Sequence, residues 1–127
     1  MNYTNKEVGT FGEKECVKYL KKKKYKIIEK NARIGHLETD IIAKNKTHII
    51  FVEVKTRNIN NVLDMRPSLA VDKQKQTNLR SFAYAYIKNS PQKCKDLQPR
   101  MDVCEILISN TSEKMRVYDI NYIEGAF

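Results

Sequence analysis

Three carboxylates and a lysine crowd two apolar segments of the stretch GHLETDIIAKNKTHIIFVEVKTR, residues 35–57. Glu38 and Asp40 lead into Ile41-Ile42-Ala43, and Glu53 and Lys55 follow directly on Ile49-Ile50-Phe51-Val52. Clustered carboxylates repel one another and are costly to desolvate unless a cation or partner neutralises them. Two or three oxygen ligands with room left for water suit Mg²⁺ or Mn²⁺. A divalent metal beside a lysine is in turn a set of parts for phosphodiester hydrolysis. The metal polarises the phosphate, lowers the pKa of a bound water and stabilises the leaving oxygen. Lys55 orients that water or offsets charge on a phosphorane-like transition state.

For this chemistry the four groups must share one face of a strand pair. With Asn45-Lys46 as a two-residue turn, Lys44 faces Thr47, Asp40 stands opposite Phe51, and Glu38 stands opposite Glu53. Directly paired residues project to the same face, as do residues two apart on one strand. Glu38, Asp40, Glu53 and Lys55 then converge, and any even-length turn keeps that parity. Ile42, Ile49 and Phe51 share their face, while Ile41, Ala43, Ile50, Val52 and Val54 occupy the other. Apolar residues on both faces predict central strands covered by a layer on each side. Taken singly, Glu53 and Lys55 also fit a strand-end ion pair, and Asp40 fits a loop hydrogen bond. All four together fit a site better.

The covering elements are legible in outline. Residues 4–24 read as a helix whose stripe is Glu13, Cys16, Val17 and Leu20, closed by Lys21 to Lys24. YKIIEKNAR (25–33) reads as a first strand and 58–66 as a loop. A second helix runs from Pro67, suited to a first turn, to Lys88. Its core face is Val71, Leu79, Phe82, Ala83 and Tyr86. After another loop (89–99), RMDVCEILIS and MRVYDI read as strands joined around Asn110 to Glu113. The order α-β-β-β-α-β-β describes a single α/β domain over 1–127 with a mixed central sheet flanked by helices. Glu13 lies on an apolar stripe. As a structural residue it needs a partner; as a site residue it reaches the sheet from the helix packed over it. Lys75 lies on the stripe of Val71 and Leu79, where a site role and a snorkelling stem both fit. Asp102 shares its strand face with Cys104, Ile106 and Ile108, and its partner is Arg100, another basic group or backbone donors.

Lys and Arg number 24 against 15 Asp and Glu, a net charge of +9. Such a field attracts polyanions, nucleic acid above all, although a lysine-rich surface can also serve only solubility. No apolar run approaches the roughly 18 residues of a membrane span, and MNYTNKEVGT lacks a signal-peptide core, so a cytoplasmic location is expected. Three cysteines without a CxxC pair argue against a disulfide framework or zinc ribbon, and Cys16 and Cys104 read as small hydrophobes. His36 and His48 lack zinc-ligand companions and read as surface or loop residues.

Asp40, twelve residues, then Glu53-Val54-Lys55 resembles the PD-(D/E)xK motif of the restriction-endonuclease-like superfamily. GTFGEKECVKYLKKKKYKIIEKNAR, ETDIIA, FVEVKTR, AVDKQKQTNLRSFAYAYI, RMDVCEI and the terminal AF resemble, in order and spacing, the YraN-like family of small bacterial proteins. The resemblance implies a restriction-endonuclease-like fold, with metal ligands at Asp40, Glu53 and the Val54 backbone carbonyl, and Lys55 as catalytic lysine. Glu13 is similar to the helix glutamate of archaeal Holliday-junction resolvases, which act as dimers on branched DNA; a homodimer is the corresponding expectation here. Glu38 is carried as a further candidate ligand, and Lys75, Arg57 and Arg33 as nucleic-acid contacts. One departure stands out: Leu37-Glu38-Thr39-Asp40 replaces the family's Gly-Glu-Ile-Asp. The expected function is a Mg²⁺- or Mn²⁺-dependent nuclease acting on DNA, with branched or structured DNA of repair and recombination as a candidate substrate. The alternative is a nucleic-acid-binding protein that keeps the fold without turnover. A scaffold role towards an acidic protein has no supporting motif.

Overall fold

The computed structural model describes residues 3–59, 72–109 and 114–127. Thr4 starts α1 (Asn5–Lys22) with a reciprocal cap. Its hydroxyl accepts from the Glu7 amide at 3.1 Å, and the Glu7 carboxylate accepts from the Thr4 amide at 2.9 Å. β1 (Lys26–Ile34), β2 (Leu37–Lys44) and β3 (His48–Asn58) follow, then α2 (Lys73–Asn89), β4 (Gln98–Ser109) and β5 (Arg116–Ile123). The five strands lie in the order β1-β2-β3-β4-β5, antiparallel except for the parallel pair β3-β4. Over its described residues the chain is thus a mixed α/β protein with an open five-stranded mixed sheet and two helices, in the element order read from the sequence. No helix among the described residues is long and apolar enough to cross a membrane.

Each helix covers one face. Cys16 and Leu20 of α1 pack on Ile41, Ala43, Ile50, Val52, Cys104, Ile106 and Ile108. Leu79, Phe82, Ala83 and Tyr86 of α2 pack on Ile42, Ile49 and Phe51, with the Phe51 ring edge-on to Phe82 and Tyr86. Ile49 to Val52 are fully buried because the two layers enclose β3 from both sides. The sequence pattern separates these faces correctly. All three cysteines are free and buried.

Most element ends shift by one to three residues, and two larger differences from the sequence reading bear on the site. α2 begins at Lys73, not near Pro67, because Asp72 holds an extended conformation (φ −71°, ψ 166°) and its carboxylate accepts from the Lys75 amide at 2.8 Å. Pro67 and Val71 lie outside the described residues, as do 60–66 of the expected loop and the turn Asn110 to Glu113. The second difference is the β2–β3 turn. The Asn45 amide bonds the His48 carbonyl at 3.0 Å, and the Asn45 side-chain oxygen accepts from the Thr47 and His48 amides at 3.0 and 2.8 Å. This side-chain turn makes Lys46-Thr47, not Asn45-Lys46, the two central residues. The register moves by two: Lys44 pairs with Ile49 and Ile41 with Val52. Parity survives, but the partners change.

Candidate functional site

Ladder pairing between β2 and β3 stops at Ile41↔Val52, while β3 continues beside β4 as far as Asn58↔Ile108. Continuing the register one step sets Asp40 against Glu53, in place of the Phe51 partner expected from sequence. Side chains replace the missing ladder bonds. The Asp40 Oδ2 accepts from the Val54 amide at 2.7 Å, and the buried Thr39 hydroxyl donates to the Val52 carbonyl at 3.4 Å. Thr39 is therefore hydrogen-bonded where it is buried.

Because the strands part here, groups from both helix layers reach one cleft of about 490 Å³. Glu13 comes from α1, Glu38 and Asp40 from β2, Glu53, Val54 and Lys55 from β3, and Lys75 from α2. Leu37 lines the same cleft and packs against the α2-side core, so the bulk at this position is wall. The preceding turn carries its glycine at Gly35, in the left-handed region at φ 62°.

Asp40 is raised from 3.8 to about 7. Burial is the main cause and the Glu53 charge the next; the Val54 bond pulls the other way, and Glu13 adds to the rise. The Asp40 and Glu53 carboxyls line the same cleft, and the Glu53 charge bears on Asp40. Glu53 in turn receives two cations on one oxygen: Lys75 Nζ at 3.0 Å and Lys55 Nζ at 3.8 Å. Burial, then the adjacent Lys75, push the Lys55 amine below its ordinary value. Acids and amines thus meet in one half-buried cluster: Asp40, Glu53, Lys55 and Lys75.

Three further candidates stand apart from that cluster. Glu38 shares its face but sits at the rim, 63% exposed, and pairs with Arg33 at 3.1 Å. Arg33 is correspondingly spoken for by Glu38. Arg57 reaches across from β3 to the buried Glu105 of β4 at 3.1 Å, and its side chain is only 20% exposed, so this pairing, not an open surface, holds its guanidinium. Lys75, by contrast, belongs to the cluster and is half exposed where it borders the cleft.

Sequence reasoning missed two residues that set the position of Glu13. A Cβ at Gly12 would overlap the Thr56 hydroxyl and stand 2.9 Å from the Thr56 Cβ. Only glycine lets α1 come this close to β3, one residue past Lys55. Asn31 donates its side-chain amide to Glu13 Oε1 at 3.3 Å. The left-handed backbone of Asn31 has no signature beyond the tolerance of asparagine for that conformation.

The fold and cleft define a small α/β protein with an acidic pair and two lysines at a parted strand end. The family model described as "Uncharacterised protein family UPF0102" matches residues 12–106. The chain is 44% identical over 123 residues to UPF0102 protein TTE1452 of Caldanaerobacter subterraneus subsp. tengcongensis, covering 96% of this chain and 95% of that protein. It is 39% identical over 122 residues to a UPF0102 protein of Caldicellulosiruptor saccharolyticus, covering 96% and 98%. A UPF0102 protein of Clostridium botulinum is 38% identical over 127 residues, covering 100% and 98%. The chain belongs to the UPF0102 family, the YraN-like group that its motifs resemble.

Proposed function

We propose that this protein is a divalent-metal-dependent nuclease of the PD-(D/E)xK type, with DNA as substrate and a restriction-endonuclease-like core. The observation that carries the reading is the opposition of Asp40 and Glu53 at the parted strand end, with Lys55 beside them. Two carboxylates in one cleft, one of them raised to about 7 by burial and by its neighbour's charge, form a site that a cation relieves.

The donor set fits Mg²⁺ or Mn²⁺ of a particular kind. Among the described residues no group of three or more His, Cys, Asp and Glu side chains stands close enough to cage a metal. Mg²⁺ commonly takes one or two carboxylates and keeps waters and substrate oxygens for its remaining positions. Asp40, Glu53 and the Val54 carbonyl would hold it, with Glu13 at the next shell and Glu38 at the rim. When bound it would supply neutralisation of phosphate charge and a more acidic water.

The chain's own groups do the remainder. Lys55, half-buried and lowered by that burial, faces the acids closely enough to hold the attacking water or the phosphate oxygen that gains charge. Hydrolysis forms a bond from water oxygen to phosphorus and breaks the bond to the departing sugar oxygen. The proton released by the water returns to that leaving oxygen through solvent. Lys75 can exchange Glu53 for a backbone phosphate at the cleft mouth, and the net charge of +9 draws the polyanion in.

One observation favours the non-catalytic alternative: Lys75 and Lys55 already neutralise Glu53 without a metal. Incubation with Mg²⁺ or Mn²⁺ and linear, single-stranded, flapped and four-way DNA separates the two readings. Lys55→Ala is expected to cut about 10²–10³-fold more slowly than wild type, the scale for removing one transition-state charge partner. Equal inertness of both on every substrate, with salt-dependent binding retained, would establish the binding-only protein.

A further inference from the structure

Asn31 holds a left-handed backbone, φ 51°, in the interior of β1. That conformation is uncommon for any residue but glycine, and asparagine is among the few that tolerate it. Pairing with β2 runs from Lys30↔Ile41 to Ala32↔Thr39, so Asn31 stands at the level of Asp40. Ile28, Ala32 and Ile34 belong to the core on the α2 side. The left-handed backbone interrupts the alternation at this residue, and the Asn31 side-chain amide donates to Glu13 Oε1 of α1 at 3.3 Å. Glycine would adopt this φ without steric cost. The position thus uses the asparagine side chain, and a backbone outlier beside a candidate site is the kind that is kept for function.

We propose that Asn31 is a positioning residue of the acidic site: its side-chain amide turns the Glu13 carboxylate towards Asp40, where Glu13 accepts hydrogen bonds from the water shell of a divalent cation. The proposal rests on the metal-dependent reading of the cleft. It adds a residue from an edge strand that carries no part of the PD-(D/E)xK pattern. Gly12 brings Glu13 near the strands through the approach of α1 to Thr56, and Asn31 fixes which way the carboxylate faces. Outer-shell groups of this sort commonly change metal affinity by about 10–100-fold when removed.

The test is a Mn²⁺ titration followed by electron paramagnetic resonance, with thermal unfolding of each variant alongside. Asn31→Gly keeps the left-handed backbone free of strain and removes only the amide. It is expected to unfold no earlier than wild type and to bind Mn²⁺ about tenfold more weakly. Asn31→Asp, which turns an oxygen towards Glu13, should weaken binding further. Glu13→Gln should match Asn31→Gly, and the double variant should add nothing to either. Wild-type affinity in Asn31→Gly or in Glu13→Gln, with binding lost in Asp40→Asn, would overturn the role of Asn31 and leave the metal site standing. Absence of binding in wild type would overturn both.

Discussion

Asp40 and Asp102 lie on opposite sides of β3, and the same sheet treats them in opposite ways. Asp102 is fully buried and meets Arg100 through two bonds of 2.8 Å, the Tyr122 hydroxyl at 2.6 Å and the Gly125 amide at 2.9 Å. Arg100 also donates to the Tyr25 hydroxyl at 2.8 Å. This network ties Tyr25, just before β1, to β4, β5 and Gly125. Asp40 has one backbone donor, from Val54, and faces the like charges of Glu53 and Glu13. A carboxylate with every lone pair answered is an anchor. One held against its own kind is the group that the proposed metal would relieve.

Substitutions should separate these roles. Asp102→Ala strands the Arg100 guanidinium, and breaking a buried pair in this way costs about 3–5 kcal/mol. Urea unfolding should show that loss, while the folded fraction keeps its Mn²⁺ affinity. A matching loss of metal binding would tie the two regions together and break the contrast.

Asp40→Asn should do the reverse: abolish metal binding and cleavage yet stabilise the protein at neutral pH. The native carboxyl is raised from 3.8 to about 7, so between those values the folded protein holds a proton that the unfolded chain releases. Asp40 therefore contributes stability below about pH 4, and that contribution disappears as pH rises through 7. The full swing is no more than about 4 kcal/mol, reduced where Glu53 takes part of the proton. Thermal unfolding of wild type across this window should fall relative to Asp40→Asn, whose side-chain oxygen still accepts from Val54. Parallel profiles would show that Asp40 is not held unfavourably.

Gly12→Ala should cost about 1–3 kcal/mol, the usual range for overpacking, because the new methyl meets Thr56. Thr56→Ala, which removes the nearest atom, should return part of that loss in the double variant. The smallest effect belongs to Glu38→Gln. An exposed pair such as Arg33–Glu38 is worth roughly 0–1 kcal/mol, and Mn²⁺ binding should stay close to wild type if Glu38 is only a rim residue.

Much of this arrangement was legible because parity is local. Two apolar runs joined by an even turn put Asp40, Glu53 and Lys55 on one face, and the alternation of Ile41, Ile42, Ile49 and Ile50 told which residues share a face, though not which helix covers it. The register was not legible, because it depends on Asn45 folding its side chain over Thr47 and His48. Nor was the parting of β2 from β3, which lets Glu13 and Lys75 enter one cleft from opposite layers. Arg57 read as an open cation because its partner Glu105 lies on a strand nearly fifty residues later. Gly12 and Asn31 were invisible for the same reason: their meaning lies in what Thr56 and Glu13 bring to them across the fold.

A crystal of the wild-type protein grown with Mn²⁺ and measured near the manganese absorption edge tests the central claim most directly. The account predicts an anomalous peak between Asp40 and Glu53, next to the Val54 carbonyl, with Lys75 displaced from Glu53. The same pair free of anomalous density, with Lys75 still seated on Glu53 at saturating Mn²⁺, would contradict it.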